Sequence, residues 1–137
     1  MADEYVLRIP AKLESMDVIL AFVSLLLDIN GCSTKARTQL RMAIEELYVN
    51  VTLYAYPSQD GWAEMRGSVD NGVVTFKLID AGRPFDPLAK DDPDIMLSGE
   101  EREIGGLGIY MVKTMMDEME YEYRDGCNRL TLRKQLG

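Results

Sequence analysis

The chain has 137 residues, with 15 Lys and Arg against 23 Asp and Glu, for a formal net charge of −8. That length suits one ordinary domain over residues 1–137, and 47% hydrophobic with 28% charged residues matches a packed globular protein rather than a disordered one. The chain has no histidine, and its two cysteines, Cys32 and Cys127, share no CxxC frame; Ser-His-Asp and Cys-His nucleophilic sites, HExxH zinc sites and a phosphohistidine relay on this polypeptide are excluded, and a cysteine-built metal site is disfavoured.

In chain order, Glu4 to Ile9 alternates Tyr5, Leu7 and Ile9 against Glu4 and Arg8 and stops at Pro10, the pattern of a strand. From Ser15 to Asn30, Met16, Ile19, Leu20, Val23, Leu26 and Leu27 recur at helical spacing, with Ser15 as cap and Gly31 as stop. Ser33 or Thr34 caps a second helix with the stripe Leu40, Ile44, Leu47 and Val51, running to about Tyr56 before Pro57. Strands over Gly61 to Val69 and Val73 to Ile79 flank Asp70-Asn71-Gly72, a strong hairpin signal, and Val74, Phe76 and Leu78 share a face that must be covered.

Residues of about 81–104 turn to Gly, Pro, Asp and Glu with little periodicity, the texture of a lid or binding loop. Helical spacing returns from Ile104 to Met119, with Ile109, Val112, Met116 and Met119 on one side. Two last strands, Glu120 to Arg124 and Asn128 to Leu136, meet through Asp125-Gly126. The expected fold is an α+β two-layer sandwich, a mixed, mostly antiparallel sheet covered by helices on one face.

No leader-like pattern opens the chain, and the longest apolar run, Val18 to Leu27, is too short to span a bilayer. A cytoplasmic protein with reduced thiols and no membrane partner is expected, so the sequon Asn50-Val51-Thr52 is set aside. The acidic balance argues against nucleic acid, which needs a basic surface. A small phosphorylated ligand needs only local charge and stays open.

Three constellations can carry chemistry. Glu46 and Asn50 lie one turn apart on the second helix, off its apolar stripe, so a carboxylate and an amide oxygen meet over one patch. Asn50 suits Mg²⁺, which takes one or two protein oxygens plus substrate phosphates, and Glu46 suits a general base; a solvated polar face is the alternative. Asp80-Ala81-Gly82-Arg83-Pro84 ends an apolar strand in an acid and a glycine, fit to accept from an exocyclic amine and to let a ring approach, or equally to make a plain turn. Gly105-Gly106-Leu107-Gly108 opens a helix, where free N–H groups attract phosphate, or serves as a hinge. It is neither GxGxxG nor a P-loop.

In order and spacing, these boxes resemble the Bergerat nucleotide fold shared by gyrase, heat-shock chaperone, histidine kinase and mismatch-repair ATPases. Within it, AIEELYVNVTLYAY, DAGRPFDP, GGLGIYMVKTMMDEMEY and NRLTLRK look like the bacterial anti-sigma-factor serine/threonine kinases, over essentially the whole chain. The resemblance implies ATP and Mg²⁺ as cofactors, Glu46 as general base, Asn50 as the Mg²⁺-coordinating asparagine, Asp80 as the adenine-binding aspartate with Gly82 beside it, and Gly106 and Gly108, in the run Gly105 to Gly108, as the glycines that meet the phosphates.

It further implies γ-phosphate transfer to a Ser or Thr of an anti-anti-sigma (STAS-type) partner, switching between that partner and a sigma factor or other regulated effector, in a homodimer. A nucleotide-binding module that sequesters a partner without phosphoryl transfer is the alternative. Two departures stand out. Pro84 replaces a glycine and removes one N–H. Cys127-Asn128 replaces a Gly-Thr pair near the adenine aspartate, so Asn128 is expected to substitute at the nucleotide.

Overall fold

The computed structural model describes residues 3–89 and 106–137. Five strands, β1 (Tyr5–Pro10), β2 (Trp62–Asp70), β3 (Val73–Asp80), β4 (Glu118–Arg124) and β5 (Cys127–Gln135), form one sheet in the order β1-β2-β3-β5-β4. Every pairing within it is antiparallel. Three helices, α1 (Met16–Ile29), α2 (Thr34–Tyr54) and α3 (Gly106–Met115), share a core with it. The expected two-layer sandwich is therefore present, with no parallel strand pair among the described residues.

The two faces of the sheet differ because side chains alternate along each strand. Met65, Val74, Phe76, Leu78, Leu130 and Leu132 point into the core with Ile19, Val23, Leu27, Leu40, Ile44 and Val112 of the helices. The other face carries charge placed opposite charge. Glu64 stands across from Arg8 and accepts from Arg8 at 3.1 Å and from Arg66 at 2.6 Å. Burial alone would raise the Glu64 pKa, but the two arginines outweigh it and hold the carboxyl below its ordinary value. Arg133, opposite Glu118, donates to both Glu118 and Glu120. Such cross-strand pairs fix register on a face that packing leaves open.

Turn chemistry matches the sequence. Asn71 and Gly72 at φ 52° and 75°, and Asp125 and Gly126 at 56° and 75°, supply the two positive φ values of a two-residue hairpin turn. Gly31, at φ 71°, ends α1 as expected. Ser33 caps α2 by accepting from the Ala36 N–H at 3.1 Å.

Several boundaries differ from expectation. Ser15 makes no side-chain cap, because a 3₁₀ turn over Leu13–Ser15 already puts it in helical backbone geometry. The second helix ends at Tyr54 rather than Tyr56, which frees the Tyr56 side chain for the sheet. The third helix ends at Met115, and Met119 belongs to β4, half-buried and paired with Leu132 rather than along a helix. Glu118 to Tyr123 alternates acid with Met or Tyr, so a period of two competes with the helical spacing there. β4 accordingly starts two residues before the expected Glu120.

Candidate active site

The site lies where one end of β3 and β5 meets the face of α2. Register sets Asp80 directly opposite Asn128, and the two side chains touch: Asn128 Nδ2 donates to Asp80 Oδ1 at 2.9 Å. The same Asp80 oxygen accepts from the Gly82 N–H at 2.9 Å. Asp80 is only 5% exposed, and burial raises its pKa above the ordinary carboxylate value despite those two hydrogen bonds. Its Oδ2 has no hydrogen bond to the described residues and is left as an acceptor.

Residues 81–89 are bound back onto the end of α2. The Arg83 N–H donates to Ala55 O at 3.0 Å, and Arg83 Nε donates to Tyr54 O at 2.9 Å, where the negative end of the helix dipole favours a cation. The Phe85 ring stacks on Tyr54 with centroids 5.4 Å apart. Tyr56 ties the loop to the sheet by donating to Trp62 O at 2.6 Å while accepting from the Ala81 N–H at 2.7 Å. Gly82 has no room for a side chain, since a Cβ would stand 2.3 Å from Ala55 O. A backbone atom cannot yield as a side-chain tip can, so this position demands glycine for close approach.

These contacts line a cavity of about 40 Å³ that is open at its mouth. Leu47, Val51 and Ala55 of α2 line it with Leu78 and Leu130 of the sheet, while Phe85 and Tyr121 add aromatic rings. Its polar groups are Asn50, Asp80 and Asn128. An apolar slot with one unsatisfied acceptor suits a flat heteroaromatic ring bearing an amine.

The first and third constellations meet at α3. A Cβ on Gly108 would lie 2.1 Å from Glu46 Oε1, so the Glu46 carboxylate occupies the space that a side chain there would fill. Asn50, one turn along α2, lines the cavity that holds Asp80. Glu46, Asn50 and Asp80 thus follow one another from the start of α3 to the end of β3.

The sequence pattern of the family described as "Histidine kinase-like ATPase domain" matches residues 9–134. This chain belongs to that family.

Relatives of this ATPase domain include the serine-protein kinase RsbW of Listeria monocytogenes serovar 1/2a, 26% identical over 133 residues, covering 93% of this chain and 85% of the relative. The anti-sigma F factor of Caldanaerobacter subterraneus subsp. tengcongensis is 26% identical over 91 residues, 66% of this chain and 64% of that protein. Among solved structures, the RsbU and RsbW domains of a Mycobacterium tuberculosis protein superpose with TM-score 0.68 at 18% identity, over 96% of this chain and 32% of that longer one. That likeness carries the fold.

Against this ATPase fold, the anticipated residues sort cleanly. Glu46, Asn50, Asp80, Gly82, Gly108 and Asn128 converge on one region, and Gly106 and Leu107 fall in the first turn of α3. Gly105 lies outside the described residues. Arg83, close to Asp80 in sequence, engages the end of α2 through Tyr54 O. Pro84 sits between two amides bonded within the protein, those of Arg83 and Phe85. Tyr56, Phe85 and Tyr121 escaped sequence reasoning. Only the strand alternation of Tyr121 hinted that it faces inward.

The chain's own residues fit a nucleotide with its ion. Among the described residues no cluster of three or more His, Cys, Asp or Glu is placed to hold a metal. Asn50 beside the cavity matches an ion held jointly by one protein oxygen and phosphates.

Proposed function

We propose that this ATPase domain is an ATP-dependent serine/threonine protein kinase and anti-sigma factor. The observation that supports the reading is the meeting of Glu46 with Gly108 beside the Asp80 cavity, which sets Glu46, Asn50 and Asp80 in one line. Relatives named serine-protein kinase and anti-sigma F factor support it. In this reading Asp80 accepts from the adenine amine, the start of α3 offers its N–H groups to phosphate, and Asn50 holds Mg²⁺. The ion, when bound, neutralises charge on the phosphates.

Glu46 takes the proton from an incoming Ser or Thr hydroxyl as that oxygen bonds to the γ-phosphorus and the bond to the β-phosphate bridging oxygen breaks, releasing ADP. Positioning and charge neutralisation suffice for such a loose transition state, so no histidine is needed. The phosphoryl acceptor is an anti-anti-sigma protein of STAS type, and the regulated partner is a sigma factor or a comparable effector. The protein acts in the cytoplasm as a homodimer.

Calorimetric titration with ATP and ADP, with and without Mg²⁺, tests the site. Magnesium should strengthen ATP binding, and Asn50→Ala should weaken the magnesium-dependent part at least about tenfold, because a ligand to the ion is lost. Binding without transfer of labelled phosphate to any candidate partner would favour a sequestering module. No nucleotide binding by folded protein would end the proposal.

Gly108→Ala offers a second check. The new methyl must displace the Glu46 carboxylate, the free end of a flexible side chain, so stability should change by less than about 1 kcal/mol. Transfer should fall about a hundredfold, the size of effect expected when a reacting group is misplaced by about an ångström. Thermal melts and single-turnover transfer measured on the same protein separate these effects.

A further inference from the structure

Asn128 lines the cavity, and the sequence suggests it as a nucleotide contact, yet its hydrogen-bonding capacity is spent within the protein. Nδ2 donates to Asp80 Oδ1 at 2.9 Å and to Arg83 O at 2.9 Å. Oδ1 accepts from the Phe85 N–H at 3.0 Å and from the Tyr121 hydroxyl. Two donors meet two acceptors and two acceptor sites meet two donors, so the amide is saturated. Turning it over would oppose like with like at Asp80 Oδ1, Arg83 O and the Phe85 N–H, which fixes its orientation. At 6% exposed, it is buried among these partners.

We infer that Asn128 is a positioning residue that sets base discrimination through Asp80 and never bonds the nucleotide itself. The inference rests on reading the cavity as the nucleotide site. Holding Oδ1 of Asp80 between Asn128 and Gly82 leaves Oδ2 as the one acceptor of that carboxylate for a ligand. The same amide grips Arg83 O and Phe85 N, so the carboxylate and the first residues of the following loop are set by one side chain. Tyr121, from β4, sets that side chain in turn. An amide at this position locks an acid and a loop together, a task that a hydroxyl side chain with one proton cannot perform at four partners.

The test compares ATP with inosine triphosphate, which replaces the amine by a carbonyl oxygen. Wild-type protein should bind ATP at least about tenfold more tightly by calorimetry, since the carbonyl would oppose the carboxylate. Asn128→Ala should bring that ratio to within about threefold of unity while leaving affinity for inosine triphosphate nearly unchanged. Asp80→Ala should give the same ratio, and the double variant should add nothing further. A residue with only a structural role would lower both affinities together and leave the ratio alone, while a direct contact would make the two losses multiply; either result overturns the inference.

Should Asn128→Ala fail to fold, Tyr121→Phe decides. It removes one donor to Asn128 and should lower the ratio about threefold, and an unchanged ratio overturns the inference. Wild-type protein that binds neither nucleotide overturns the nucleotide reading itself, a result distinct from discrimination that survives loss of Asn128.

Discussion

Glu46→Gln is expected to fold, to bind Mg-ATP as the wild type does, and to lose phosphoryl transfer by about 10²–10⁴-fold, the range for removing a general base. The substitution keeps size and shape, so the packing of Glu46 against Gly108 is retained. The neighbouring Leu47 and Tyr48 are buried and anchor that turn of α2 in the core. What changes is chemical, because an amide cannot take the proton that the attacking hydroxyl must lose. Binding should therefore survive while the chemical step fails, a loss confined to the transition state. Single-turnover transfer from labelled ATP, with affinity measured separately, resolves the two. Turnover equal to wild type would remove Glu46 from the role of base and leave it as a spacer at the start of α3.

That Glu46 and Gly108 would meet was not legible from either segment alone. Glu46 with Asn50 read as well as a solvated face, and the glycine run read as well as a hinge. Their proximity is a product of α2 packing against α3, a tertiary fact that local periodicity does not encode. The hairpins were legible because Asn-Gly and Asp-Gly carry a backbone requirement in their own chemistry. The end of α2 was less so, since Tyr56 is drawn off the helix by Trp62 O and the Ala81 N–H, both in the sheet or the loop that leaves it. Met119 misled for a related reason: one residue satisfied both a helical and a strand spacing, and pairing with β5 decided between them. Asn128 was placed correctly beside Asp80, but whether its amide faced ligand or protein depended on Phe85, Arg83 and Tyr121.

Asp80→Asn should separate folding from binding in the opposite way. The asparagine can keep its carbonyl oxygen between Asn128 and Gly82, so the network that holds Arg83 and Phe85 survives. Its amino group then takes the place of the free Oδ2, and an adenine amine would meet a donor where it needs an acceptor. A lost hydrogen bond to a charged group together with that opposition is worth about 3 kcal/mol, or roughly a hundredfold in ATP affinity. Stability should move the other way. Burial holds the Asp80 carboxyl above its ordinary pKa of 3.8, so the folded protein binds this proton more tightly than the unfolded chain. Folding is therefore progressively penalised as pH rises from 3.8 through the raised folded value. The asparagine variant carries no such penalty. Melting temperatures of the two proteins, followed from acid to neutral pH, should diverge in favour of the variant as pH rises, and a constant difference would show that Asp80 ionises without strain. A site that keeps a buried carboxylate at the expense of stability is one in which that charge is used, and the ATP titration of the same two proteins shows what it is used for.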